Sequence, residues 1–557
     1  MWALRRARSE IIFGLGGKND MNNLKDAYIR FCAILTMAEK YFEKGDLSAA
    51  VGLAQIAVRH VFPGKGLFAS PRLENLLLEI GKQMPVCLNR NFKERDKESR
   101  NVLHILTHAR PIGGDSRFVW RWIERDYKNR HSVAITTHGN GIFEIPKVLI
   151  EVVHKSGGFL RALSESASKP LERASELRAL CQGMDVVVLH LFPYDIVPLL
   201  ALAVGCEASK VVFVNHADHT FWVGSSVADL ILHLREQSVQ FLKKRRGLEP
   251  NQSSILPIPI VYSPIGKNRE QAKHELGYEP GVVILLTIAT PFKYSAPNQI
   301  GFLDLVTPVI VKSQKAVLIA VGPHPKGVWR SASIRTNGRI VPLGTRWDND
   351  LLYAAADVYL DSIPFSSITS LLEAGSHGLP LIGYRLPNSE LTLLGPSAPG
   401  LNNSIKMATD KESYRILLTR LIEDAEFRRK QGKIAQKNIL SLHDGDKWLK
   451  SLNDMYERIY SSTGRKCLTD KKDAFKNCAL NQMLVGLYSK SPFSYRRLIW
   501  DSIGRLSYRS RLTITWRLYR LGLDLCLLNL VPPPVDVSVH RFGRWVKRKM
   551  RLHFKLQ

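Results

Sequence analysis

Nowhere does the chain of 557 residues hold an apolar run of the ~18 to 20 residues that a membrane-spanning helix needs. The nearest, Leu518 to Val531, is too short and is broken by Arg520 and Asp524, so it can lie on a membrane but not cross one. Cysteine is scarce as well. Cys32, Cys87, Cys181, Cys206, Cys467, Cys478 and Cys526 show no Cys-x-x-Cys spacing and no neighbouring His pair suited to zinc. This argues against a disulfide framework or a zinc site and predicts reduced, buried thiols. The opening MWALRRARSEIIFGLGG is basic but lacks the apolar core of a secretion signal, so a cytoplasmic protein is expected. A dinucleotide fingerprint is missing too. Gly113 and Gly114 in PIGGDSRF let backbone approach a ligand closely, but without GxGxxG spacing and its later acidic residue they count against an oxidoreductase.

Acidic residues are outnumbered, 50 Asp and Glu against 79 Lys and Arg, for a formal net charge of +29. Much of the excess lies after Arg465, where the only acids are Asp470, Asp473, Asp501, Asp524 and Asp536. An anionic partner is expected there. The segment SYRRLIWDSIGRLSYRSRLTITWRLYRLG interleaves Arg with Trp, Tyr, Leu and Ile, as a helix lying on an anionic membrane does. A helix pair packed on the rest of the chain is the alternative, and nucleic acid is the least expected partner.

Periodicity divides the chain into four. Residues 1–95 read as helices; Ala38, Tyr41, Gly45, Ala49, Ala50, Ala54 and Ala57 resemble one tetratricopeptide-type pair, or a plain helical cap. Residues 96–262 and 263–462 each alternate apolar strands with helices. In the first, strands are expected at Val102–Thr107, His131–Thr137, Met184–Leu191 and Lys210–His216; in the second, the first runs from Val282 to Thr290. The prolines of ILPIPIVYSP make a stiff crossover between them. Residues 463–557 form a basic helical extension. The expected fold class is α/β: two Rossmann-like domains, a helical N-terminal cap and that extension, with a ligand cleft at the strands' C-terminal ends.

Three segments point at that cleft. YLDSIPFSSITSLLEAGSHGLPLIGY puts Ser366, Ser367, Thr369 and Ser370 at a helix start, where free N–H groups and the positive dipole end favour phosphate; Glu373 lies one turn in, in reach of a ribose or sugar. Lys293, in TIATPFKYSAP, can neutralise a departing diphosphate. In VNHADHTFWVG, His216 or His219 can remove a proton from an acceptor hydroxyl, with Asp218 orienting it or acting itself. Trp222 reads as a sugar platform or a core residue. A metal is not expected: Asp348 to Asp350 and Asp444 to Asp446 precede helical patterns and read as caps.

These segments together resemble glycosyltransferases of the GT-B fold over roughly Asn101 to Ser461. DSIPFSSITSLLEAGSHGLPLIGY is similar to the donor segment of the O-linked N-acetylglucosamine transferase family, with Thr369 and Ser370 at the places of its phosphate-binding Thr pair. ATPFKYSAP resembles that family's lysine loop, here Lys293. GGDSRFVWRWI and NHADHTFWVG look like bacterial transferases of surface-polysaccharide type. The resemblance implies a nucleotide-diphosphate sugar as co-substrate, UDP-linked, no further cofactor, and a glycan, lipid-linked or protein acceptor. The Glu-x7-Glu motif of retaining members is absent, since Phe365 stands eight residues before Glu373. That favours inversion and a base from among His216, Asp218 and His219. An epimerase-like enzyme, an inactive sugar-nucleotide binder and a nucleic-acid binder remain as rivals.

Overall fold

From Asn101 onward short apolar runs alternate with helices, and the runs become strands of two parallel sheets. The computed structural model describes residues 19–85, 99–137, 144–163, 170–206, 209–264, 266–295, 301–386, 391, 395, 397–461, 473–476, 478–488 and 495–523. In the first sheet lie β1 (Asn101–Leu106), β2 (Arg130–Ile135), β3 (Leu160–Ala162), β4 (Val186–His190), β5 (Lys210–Asn215), β6 (Leu230–His233) and β7 (Ser253–Ile255). Their order is β3-β2-β1-β4-β5-β6-β7. The second holds β8 (Val283–Ile288), β9 (Ala316–Val321), β10 (Ile340–Gly344), β11 (Val358–Leu360), β12 (Leu381–Tyr384) and β13 (Ile405–Ala408), ordered β10-β9-β8-β11-β12-β13.

Both orders step outward from one strand and then reverse, between β1 and β4 and between β8 and β11. This is the doubly wound arrangement, whose ligands bind at the reversal, beyond the strands' C-terminal ends. Strands covered on both faces read as continuous apolar runs, and β4 and β9 are buried along their whole length. The short strands β3 (LRA), β7 (SSI) and β13 (IKMA) carry no such run, so periodicity does not announce them.

The proline-bearing crossover after β7 is held by the second domain's last helices. Trp448 Nε1 donates to Pro257 O at 2.6 Å, His443 Nδ1 lies 2.8 Å from Ile258 O, and Ile260 N donates to His443 O at 2.9 Å. The Gly445–Ser461 helix then covers the first sheet, with Trp448 edge-on to Trp122 and Tyr456 Oη donating to Asp126 at 2.7 Å.

At the N-terminal end, the Asn19–Glu43 and Leu47–Val61 helices form a hairpin about Gly45, whose φ of 76° suits glycine. Asp46 caps the second helix through Ala49 N. Its small residues Ala49, Ala50, Ala54 and Ala57 are fully buried, and they join one core with Leu103, Ile105, Val187 and Leu189 of the first sheet. The extension completes this layer. A Cβ on Gly52 would meet Ser502 O at 2.5 Å, so the Tyr495–Ile503 helix lies directly on the hairpin. The layer is pinned by Glu74, whose buried carboxylate accepts from the N–H groups of Gly224, Ser225 and Ser226.

Candidate active site between the two sheets

In the second domain, Asp361 directly follows β11 and organises the hydroxyl-rich loop. Its carboxylate accepts from Ser362 N (2.8 Å), Ser367 N (3.1 Å) and Ser366 Oγ (2.5 Å). Burial nevertheless pushes its pKa up to about 6. With the loop fixed this way, the Ile368–Ser376 helix begins at a set position. Ser366 and Ser367 are buried, one spent on Asp361 and the other donating to Ser370 Oγ at 3.2 Å. Both hydroxyls expected as donor contacts are therefore engaged within the loop, while Thr369 and Ser370 are half-buried.

Lys293 enters from the turn after β8. Its ammonium donates to Ser366 O at 3.1 Å and lies 5.1 Å from the centre of the Phe365 ring. Burial lowers its pKa to about 8, against the opposing pull of Asp361 and Asp115. The Gly114–Arg125 helix starts across the cleft, where a Cβ on Gly114 would come within 2.6 Å of Thr369 Oγ1. Two helix N-termini and a half-buried ammonium thus meet at one place, each favouring negative charge. Gly113 precedes this start, and a Cβ there would strike Asp115 Oδ1 at 2.4 Å.

Asp115, in the first turn of the Gly114–Arg125 helix, also lies here. Its Oδ2 pairs with Arg110 at 2.7 Å, while Oδ1 is buried without a hydrogen-bond partner. Burial raises its pKa, but Arg110 and the neighbouring His216 outweigh that and hold the carboxyl low. Glu373 is fully engaged. It accepts from Arg117 Nη1 (2.9 and 3.1 Å), Arg121 Nη2 (2.7 Å) and Tyr353 Oη (3.2 Å), tying the Gly114–Arg125 helix to the second domain. The signal for this pair was legible: Arg117 and Arg121 lie four apart, on one face of a helix.

Beyond β5, the candidate catalytic residues separate. His216 is half-buried beside Phe118, with Nε2 3.2 Å from His190 Nδ1, and burial lowers its pKa to about 4. His219 is buried edge-on to Phe365, 4.9 Å between ring centres, with neither nitrogen partnered; burial lowers its pKa to about 3. Asp218, expected as a base or an orienting group, makes no hydrogen bond to His216 or His219 among the described residues, its Oδ1 standing 3.9 Å from His219 Nδ1. It is buried in a two-pronged ion pair with Arg235 (2.6 and 2.7 Å) and accepts from Ser238, and against the effect of burial these donors hold its carboxyl far below the usual range. Trp222 is likewise a core residue, stacked on Phe213 at 4.3 Å with the Arg246 guanidinium 3.8 Å above its ring. Asp444, read as a cap, stands directly before the Gly445–Ser461 helix and pairs with Arg125 of the first domain. Among the described residues no group of three or more His, Cys, Asp or Glu side chains is placed to hold a metal ion, and no helix is long and apolar enough to cross a membrane.

No protein-family model matches the chain, and no curated protein matches it in sequence. Solved structures do. A glycosyltransferase from Rickettsia africae aligns with a TM-score of 0.51 at 11% identity, covering 66% of this chain and all of its own. Anabaena HepE, solved with UDP and glucose, gives 0.49 at 14% identity over 65% of this chain and 100% of its own. The O-GlcNAc transferase of Thermobaculum terrenum gives 0.46 at 15% identity over 78% of this chain and 84% of its own. With two doubly wound parallel sheets facing each other across a cleft, the chain has the GT-B fold that glycosyltransferases use.

Proposed function

We propose that the protein transfers a sugar from a nucleotide-diphosphate donor, UDP-linked, to a hydroxyl acceptor, with inversion at the anomeric carbon and no resident metal ion. The observation that carries this reading is the meeting of the Gly114 and Thr369 helix starts beside Lys293. There the donor's phosphate oxygens accept from the free N–H groups and from Thr369 and Ser370. As the bond from anomeric carbon to phosphate oxygen breaks, its electron pair goes to the diphosphate, and Lys293 offsets the charge. A single such donor in a water-poor site is worth roughly 3 to 4 kcal/mol.

On the acceptor side, His216 takes the hydroxyl proton as the new carbon–oxygen bond forms. His216 stands half-buried beside the helix start, in the field of Asp115. The two unpartnered nitrogens of buried His219 suit hydroxyls of the donor sugar. A row of half-buried rings, Phe192, Tyr194, Phe62 and Tyr488, continues through the exposed Phe292 to Phe365, with successive centres 5.4 to 6.0 Å apart. Such a row suits a glycan or a lipid-linked saccharide.

The Tyr508–Arg520 helix supports a membrane-bound acceptor. It buries Ile514 and Leu518 and turns Tyr508, Leu512, Trp516 and Tyr519 outward, among exposed Arg509, Arg517 and Arg520. Arginine and aromatic rings together fit an anionic lipid surface. The test of the whole reading is incubation with UDP-sugars and glycan or lipid-linked acceptors, following UDP release and the anomeric configuration of the product. A retained configuration would overturn the inverting mechanism, and no UDP release from any donor would overturn the transferase.

A further inference from the structure

His216 is the outer end of a line of four imidazoles that crosses the first domain. His216 Nε2 lies 3.2 Å from His190 Nδ1, His190 Nε2 3.0 Å from His104 Nδ1, and His104 Nε2 3.0 Å from His131 Nδ1. His131 Nε2 then meets Asp126, 3.1 Å from its carbonyl oxygen and 3.2 Å from its carboxylate Oδ2. The line runs diagonally over one face of the sheet, from the end of β5 through β4 and β1 to the start of β2. His104, His131 and His190 are buried, and Trp122 closes edge-on over His104 and His190. Four histidines joined head to tail in the same atomic order are more than filling for an apolar core, where each would need its own partner.

Hydrogen-bond accounting sets their tautomers. A neutral imidazole has one N–H and one lone pair. Both partners of His131 Nε2 are oxygens that accept, and Asp126 is kept ionised by donors that include Tyr456 and Asn129, so the proton of His131 sits on Nε2. Its Nδ1 must then accept from His104 Nε2–H, and the same requirement passes to His190 and to His216. We propose that Asp126, through His131, His104 and His190, fixes His216 as the Nε2–H tautomer and thereby leaves Nδ1 bare toward the cleft. Among the described residues Nδ1 of His216 has no hydrogen-bond partner. When Nδ1 gains the acceptor's proton, each Nε2–H can move to the next Nδ1. The added charge then rests on His131 against Asp126, the anion at the inner end, and no proton is lost. His190, His104, His131 and Asp126 are positioning residues in this scheme, which rests on His216 being the base.

The test is nitrogen NMR of the full chain labelled with 15N-histidine, together with kinetics of His104→Phe, which interrupts the line with a ring of similar shape. In the wild type, His216, His190 and His104 should each show protonated Nε2 and bare Nδ1. In His104→Phe, His216 should become a mixture of tautomers and kcat should fall at least about tenfold, with the donor's Kd unchanged. A wild-type His216 that is already mixed, or carries its proton on Nδ1, overturns the proposal, and so does a fixed tautomer that survives His104→Phe. The wild-type spectrum decides even if the variant does not fold. A correct tautomer in a protein that transfers no sugar would leave the line intact and sink only the transferase reading.

Discussion

Gly114 and Thr369, separated by 255 positions in sequence, face each other across the cleft: a side-chain carbon on Gly114 would stand 2.6 Å from Thr369 Oγ1, so one of the two would have to shift. This approach brings the helix starts of two domains together. Gly114→Ala should therefore hold them apart, and overpacking of this kind costs about 1 to 3 kcal/mol. The expected outcome is a tenfold or greater rise in donor Kd by calorimetry (about 1.4 kcal/mol per tenfold), without loss of folded protein. An unchanged Kd would mean that the donor does not use this junction.

Lys293 makes donor binding depend on pH with a definite sign. Burial lowers its pKa to about 8 in the free protein, and a bound diphosphate raises it again. Affinity is thus full below about 8, where the ammonium is already present. It falls as pH rises through that value, by up to tenfold per unit, because binding must then take up a proton. Isothermal titration of a UDP-sugar from about pH 7 to about pH 9 should show this fall, and Lys293→Ala should flatten it. The same slope in the variant would assign the proton to another group.

Glu373 holds two arginines of the other domain. Removing one partner of a buried ion pair costs about 3 to 5 kcal/mol, and Glu373→Ala leaves Arg117 and Arg121 facing each other with no anion between them. Urea unfolding should show a loss near the lower end of that range, since Arg117 keeps some exposure. An unchanged midpoint would show that the triad contributes nothing to the junction.

The two-domain fold was legible because long parallel strands are apolar throughout and their connecting helices are periodic. The hydroxyl-rich helix start was legible because Ser and Thr crowd the start of the Ile368–Ser376 helix. Partnership was not. Ser366 and Ser367 look like Thr369 and Ser370 until Asp361, five residues before Ser366, is seen to take the hydroxyl of the first and the backbone N–H of the second. Asp218 and His219 are neighbours in sequence, yet one is locked by Arg235 and neither ring nitrogen of the other has a hydrogen-bond partner. Asp115 and the histidines of β1, β2 and β4 acquire meaning only when the sheet order brings separate strands side by side. In the extension, Tyr508–Arg520 is a helix, whereas most of Leu518 to Val531 lies outside the described residues.

The outward face of that helix gives a further expectation. Binding to vesicles containing anionic lipid should weaken in a Trp516→Ala, Tyr519→Ala double variant, and weaken again as salt rises, since the arginines contribute through screened charge. Because both rings are more than half exposed, thermal stability should be unaffected. Equal sedimentation of wild type and variant with vesicles would remove the membrane from the account.

The central claim is a sugar-nucleotide site built from the Thr369 helix start, Gly114 and Lys293. Thermal-shift measurement of a panel of nucleotide sugars against wild type and Lys293→Ala tests it most directly. The account predicts that a UDP-sugar raises the melting temperature of the wild type and that Lys293→Ala loses most of that shift. If no nucleotide sugar stabilises the wild type, the claim is contradicted.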